Sequence, residues 1–302
     1  MWATRASTIY ADSPEKGWRP WGLLVPVVGF VMVALSTGVV PVALEHFNMV
    51  DANENPVSFL GLVAYLLLPF AALGVAVFAW VRFVERRPLA TIGLTKARAV
   101  RTFVAGHAIG LAMAGGIVAA IWATGALSSG GFALAFRSPM SLVKIAILLA
   151  GFGLQSSVEE ILFRGWMQSA IAYKFGIAAA TVITSALFAL MHYEPHQPWL
   201  FTLNVFLFGV FACCAALRSG NLWIAMGFHA GWNWLLAVGF ELRVTGIDVH
   251  LPALIVKLTP RGPDFLTGGL QGPEGSMMCS LMLVVGIVVS AVPLRRTLSH
   301  EL

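Results

Sequence analysis

Long apolar runs alternate with short polar segments along this chain. The runs lie at 23–44, 58–81, 103–123, 140–163, 177–191, 200–217, 222–240 and 277–294, the fourth open to continuation as helix to about Tyr173. Runs of about 17–25 residues recur, the length a helix needs to cross a ~30 Å hydrocarbon core. None alternates with the period of two that barrel strands require. The pattern predicts an all-α, multi-pass transmembrane bundle of about eight helices. Residues 1–22 read as a polar tail, 23–294 as one transmembrane domain and 295–302 as a second short tail. Residues 1–21, with Trp2, Trp18 and Trp21, do not read as a cleavable signal peptide but as an extension meeting the membrane at a tryptophan belt.

Composition agrees with that pattern. Hydrophobic residues make up 58% of the 302 and charged residues only 11%, whereas a soluble domain carries about a quarter charged. The net charge of +5 sits in short loops without a basic run interleaved with aromatics, so no nucleic-acid partner is expected. With the N-terminus inside, the inner segments hold 13 Lys and Arg and the outer segments four. That asymmetry predicts a protein of the cell (inner) membrane with both termini in the cytoplasm and 241–276 as an extracytoplasmic loop. Cys213, Cys214 and Cys279 lie in apolar runs without metal or disulfide spacing and read as small fillers.

Charge inside a span marks a functional site by default, because it costs about 2.5–3.5 kcal/mol to insert. Lys144 lies one turn into its span and can snorkel; His107 reads as a packing residue, and Gly106–Gly110 beside it has the GxxxG spacing of close helix contact. Three other groups are less easily absorbed. In Glu159-Glu160-x-x-x-Arg164, Glu160 and Arg164 stand four apart and can pair, while Glu159 points about 100° away and is left free. A purely structural ion pair explains Glu160 and Arg164 but not Glu159. The other two groups are Phe188-x-x-x-His192, ending the fifth run, and His229-x-x-x-Asn233, inside the seventh.

If the fourth and fifth runs form a hairpin, Glu159 and His192 are equidistant from a turn at Lys174-Phe175-Gly176, each about 25 Å from it at ~1.5 Å per residue. Counting from Ser219-Gly220 puts Asn233 about 20 Å deep, with His229 one turn shallower. One layer can therefore hold Glu159, His192, His229 and Asn233. A carboxylate and an imidazole converging on water suit hydrolysis, with His229 and Asn233 as donors to an oxyanion and Glu160–Arg164 as support. Ser156 and Ser157 lack an obvious nucleophile arrangement, so water is the expected nucleophile. No cofactor is required on this reading; the alternative is zinc bound by Glu159, His192 and His229. The spacing is not HExxH, arginine would repel a cation, and Pro195 breaks the face joining His192 to His196.

These motifs resemble those of the CPBP family of intramembrane endopeptidases, which includes the eukaryotic CAAX prenyl endopeptidase and Abi-like bacterial relatives. The resemblance covers about 150–240, within a catalytic core at about 140–240, and all its motif positions are filled. It implies an eight-helix fold with a cavity open toward membrane and water, and an endopeptidase in which Glu159 and His192 activate water while His229 and Asn233 hold the oxyanion. Membrane lipid and a peptide or lipidated protein would be the partners; oligomeric state is left open. Segments Glu85-Arg86-Arg87-Pro88-Leu89 and Gly272-Pro273-Glu274-Gly275 also resemble patterns in bacterial relatives, without an assigned role. A non-catalytic partner of a sensor kinase or bacteriocin-like peptide is the alternative function, and a transporter a third.

Overall fold

The computed structural model describes residues 10, 17–52 and 55–291. Most of the N-terminal tail, including Trp2, Arg5 and Lys16, the end of the eighth run and the tail 295–302 with Arg295 and Arg296 lie outside the described residues.

Among the described residues the protein is a helical bundle. Helices α1 (Val25–His46) and α2 (Phe59–Ala79) pack on each other, each with an internal proline, Pro41 and Pro69. Helix α3 (Ala99–Ala123) follows a short connection. Helical backbone then runs from Pro139–Glu160 through a π-helical segment, Ile161–Met167, into Gln168–Met191, interrupted at Gly176, whose φ of 80° and ψ of 163° are non-helical. We call the part up to residue 175 α4 and 177–191 α5. Helices α6 (Trp199–Ser219), α7 (Trp223–Gly239) and α8 (Met277–Ala291) complete the set of eight.

Gly176 makes the interruption a reversal. Gln168 donates from Nε2 to Thr181 Oγ1 at 3.1 Å, and the Phe163 and Phe188 rings are 5.1 Å apart. A continuous helix would hold the two phenylalanines nearly 40 Å apart, at ~1.5 Å per residue. Only a residue without Cβ takes that backbone conformation freely. The fourth helix is longer than its apolar run suggested because the π segment carries the backbone past Arg164 without loss of helical bonding.

Five helical runs are long and apolar enough to cross a membrane: Val25–His46, Phe59–Val84, Ala99–Ala123, Pro139–Met191 and Trp199–Ser219, the fourth containing the reversal. Helix α7 is shorter, at 17 residues, and nearly enclosed by α3, α4 and α6. Its tightest partner is α3. An added Cβ at Gly227 would stand 2.0 Å from the Phe103 carbonyl oxygen, and one at Gly231 would stand 2.4 Å from that of His107. Reciprocally, Gly106 and Gly110 meet the carbonyls of Ile224 and Phe228. Two small-xxx-small stripes thus interlock, letting the backbones approach as membrane helices do, and the register rises together on both helices, so α3 and α7 run parallel.

That parallel pairing sets the two ends of the bundle. The exits of α3 and α7 lie at one end, where β1 (Leu127–Phe132) pairs antiparallel with β2 (Val256–Pro260). We call this the cap face. The α4–α5 reversal and the α6–α7 turn lie at the opposite, turn face.

Candidate active site

The site is built on α4, at the last residues before the π segment. Glu160 is fully enclosed and accepts from Arg164 Nη1 at 3.1 Å, as the four-residue spacing requires. Its Oε1 also lies 2.9 Å from His229 Nδ1. A carboxylate already facing a guanidinium acts as acceptor, so His229 donates from Nδ1 and turns Nε2 away from Glu160. Arg164 is held from several sides. Its guanidinium carbon lies 4.2 Å from the centroid of the Phe188 ring, and Gly209 of α6 leaves room beside Nη2. Tyr10 donates its hydroxyl to the Arg164 carbonyl.

Glu159 faces elsewhere, as its position one residue earlier dictates. Gln155, one turn back, donates from Nε2 to Glu159 Oε1 at 2.8 Å. The other oxygen, Oε2, is buried and has no hydrogen-bond donor; His229 Nε2 is 3.7 Å away, too far for a direct bond. An unpaired buried acceptor of this kind is costly unless something transient fills the gap. Asn233, four residues after His229, donates from Nδ2 to Gln155 Oε1 at 3.2 Å and to Ser156 Oγ at 3.4 Å.

His192 caps α5 and is half-buried. Its Nδ1 lies 2.8 Å from the Phe188 carbonyl, which only accepts, so Nδ1 carries the proton and Nε2 keeps its lone pair. The Phe188 ring sits 4.4 Å from the His192 ring and 6.1 Å from that of His229, which gives the phenylalanine of this motif a spacing role. His196 lies beyond the helix end, exposed, with a positive φ of 71°, and does not share a face with His192.

Glu159, His192, His229 and Asn233 all line one cavity of about 190 Å³. Gln155 lines it too, and Leu66, Pro69, Phe70 and Phe152 give it apolar walls. A smaller space on the far side of the two histidines is bounded by Trp232 and Glu274. Glu274 accepts from Trp232 Nε1 at 2.8 Å and from the backbone and hydroxyl of Thr245 at 2.5 and 3.0 Å. Among the described residues no three His, Cys, Asp or Glu side chains are arranged to hold a metal ion.

The sequence motifs missed Gln155 and Thr245, and left Glu274, within Gly272-Pro273-Glu274-Gly275, without a role. Gln155 was within reach, being a polar residue one turn before Glu159 in an apolar run; the other two arrive from a loop some 85–115 residues away. Glu85-Arg86-Arg87 also acquires a place. Buried Glu85 accepts from Trp166 Nε1 at 2.6 Å, Trp80 Nε1 at 3.0 Å and Arg87 Nε at 2.5 Å. Arg87 reaches Ser169 at 3.0 Å, so this segment braces the π-helical turn that follows Glu159 and Glu160. Burial pulls the Arg87 guanidinium's pKa down, and Glu85 opposes that shift.

No curated protein matches the chain. The segment carrying all seven motif side chains, residues 139–235 or about a third of the chain, matches the model of the Rce1-like family, type II CAAX prenyl endopeptidase.

Proposed function

We propose that the protein is an intramembrane endopeptidase that hydrolyses a peptide bond in a membrane-associated or lipidated peptide, with water as nucleophile and no required metal. The observation that carries this reading is that Glu159, a buried carboxylate with Oε2 unpaired, lines one cavity together with both histidines and Asn233. Water there donates a hydrogen bond to Glu159 Oε2 and a second to the bare Nε2 of His192, which together orient its oxygen lone pair. Attack on the scissile carbonyl transfers the water proton to Glu159 and forms a tetrahedral oxyanion. Asn233 faces the same cavity as a donor to that oxyanion, and His229 joins it as an imidazolium, with Nδ1–H on Glu160 and Nε2–H turned away from it. The long 3.2 and 3.4 Å bonds Asn233 makes in the free protein are ones a substrate oxygen can displace. The proton then passes from Glu159 to the leaving nitrogen as the C–N bond breaks.

The test compares peptide termini in membranes containing wild type with those containing Glu159→Gln at equal abundance, followed by cleavage with purified protein in chelator. We expect termini that appear only with wild type, a loss of at least 10²-fold in rate for the variant with unchanged stability, and activity that persists in chelator. Identical termini would instead support a non-catalytic binding partner; activity lost in chelator and restored by zinc would assign the water to a metal.

A further inference from the structure

Among the described residues the cavity adjoins open space toward one end of the bundle and packed side chains toward the other, and the charges at the two ends differ. Below Glu159 the route to the turn face is filled. Every residue of Ile161–Met167 is buried, with Arg164 and Trp166 fully enclosed, and Glu85 and Arg87 close the space behind them. Toward the cap face the cavity shares Tyr65, Thr245 and Ile247 with a much larger vestibule of about 880 Å³. That vestibule is walled by the connections leaving α1 and α7, by the first turn of α4 and by Glu194 just past α5. His192, the residue that ends α5, marks how close the catalytic layer lies to this surface.

Charge identifies the two faces. Among the described residues, the exit of α2 and entry of α3 at the turn face hold Arg82, Arg86, Arg87, Lys96, Arg98 and Arg101, and Arg19, Lys174 and Arg218 join them, against the single acid Glu85. Among the described residues the cap face holds five basic residues, Arg137, Lys144, Arg243, Lys257 and Arg261, and seven acids from Glu45 to Glu274. Positive residues in short connections remain on the cytoplasmic side of a membrane. The Arg and Lys bias therefore assigns the sealed end of the cavity to the cytoplasm.

From these two observations we infer that substrate reaches Glu159 from the extracytoplasmic side: the enzyme takes exported peptides, or extracytoplasmic segments of membrane-tethered proteins, whose scissile bond lies within a few residues of the membrane surface. The apolar walls formed by Leu66, Pro69, Phe70 and Phe152 receive the membrane-proximal side chains. Lys144 and Arg243, with Glu194 and Asp248, face the hydrated part of the same peptide in the vestibule. This inference rests on the proposed hydrolytic role of the cavity, but its sidedness is measured independently of hydrolysis.

The experiment is single-cysteine labelling in intact cells. Cys213, Cys214 and Cys279 are buried and give a quiet background. His250, whose side chain is 84% exposed on the vestibule rim, and Ala97, exposed at the turn face, are the reporter positions. We expect His250→Cys to react with a membrane-impermeant maleimide in intact cells and Ala97→Cys to react only after permeabilisation, with Glu159→Gln leaving both patterns unchanged. The reverse pattern, equal labelling of both, or labelling of neither before permeabilisation overturns the inference. If sidedness reverses while Glu159-dependent cleavage persists, this inference fails and the proteolytic reading stands. If sidedness holds and no cleavage depends on Glu159, the proteolytic reading fails instead.

Discussion

Adjacent glutamates on one helix receive different fates from a rotation of about 100°. Glu160 turns into the bundle, where Arg164 and His229 share one of its oxygens, while Glu159 lines the cavity; each carboxylate keeps its other oxygen without a donor. The first part was legible because four-residue spacing on a helix dictates the pair. That Glu159 and His192 can share one cavity was legible too, since both count equally from a reversal that Gly176 provides. What could not be read was Gln155 as the intermediary between Asn233 and Glu159, because that link needs two helices in register. The buried pair makes a stability prediction. Arg164→Ala leaves Glu160 enclosed without its cation, and removing one partner of a buried pair costs about 3–5 kcal/mol. Reversible unfolding in detergent micelles should show a loss of that size; a change under 1 kcal/mol would mean that His229 alone suffices to compensate Glu160.

Helix α7 depends on closeness rather than on charge at the level of elements. Gly106–Gly110 was readable as a contact stripe, but Gly227–Gly231 was not recognised as its partner, because spacing alone cannot say which two stripes meet or in which direction. The structure pairs them in parallel, and His229 sits between the two glycines of α7. Gly227→Ala should therefore force α3 outward, shift His229 from Glu160, and abolish cleavage with loss of thermal stability. Gly38→Ala, in α1 with open space where its Cβ would go, should be neutral or stabilising by up to about 1 kcal/mol. Equal behaviour of the two variants would rule out the close approach. The π segment was the other unreadable feature at this scale, since it changes hydrogen-bond pattern without changing composition; such wide turns recur beside functional sites.

Taken whole, the molecule is asymmetric from end to end: a braced, basic turn face and an open cap face built from loops. Eight helices could be counted from apolar runs, and the family match covers α4, α5, α6 and most of α7. The cap could not be read, because its strands are short and lie in segments with no long apolar period. Glu274 ties this cap to the catalytic bundle by accepting from Trp232 on α7 and from Thr245 over the cavity. Glu274→Ala leaves those donors unpaired, a cost of about 1–3 kcal/mol, and frees the segment that roofs the site. Steady-state kinetics should then show KM raised several-fold more than kcat is lowered. An equal fall in kcat with KM unchanged would instead put Glu274 in the chemical step.

The reversal at Gly176 also bears on the order in which the enzyme is made. Residues 139–191 need no distant partner to bring Glu159 and His192 level, so this half of the machinery is complete as soon as α5 has entered the bilayer. His229 follows 37 residues later, on a helix that must still find α3. On the proposed mechanism, a nascent chain carries its carboxylates inert until α7 has been made and has found α3.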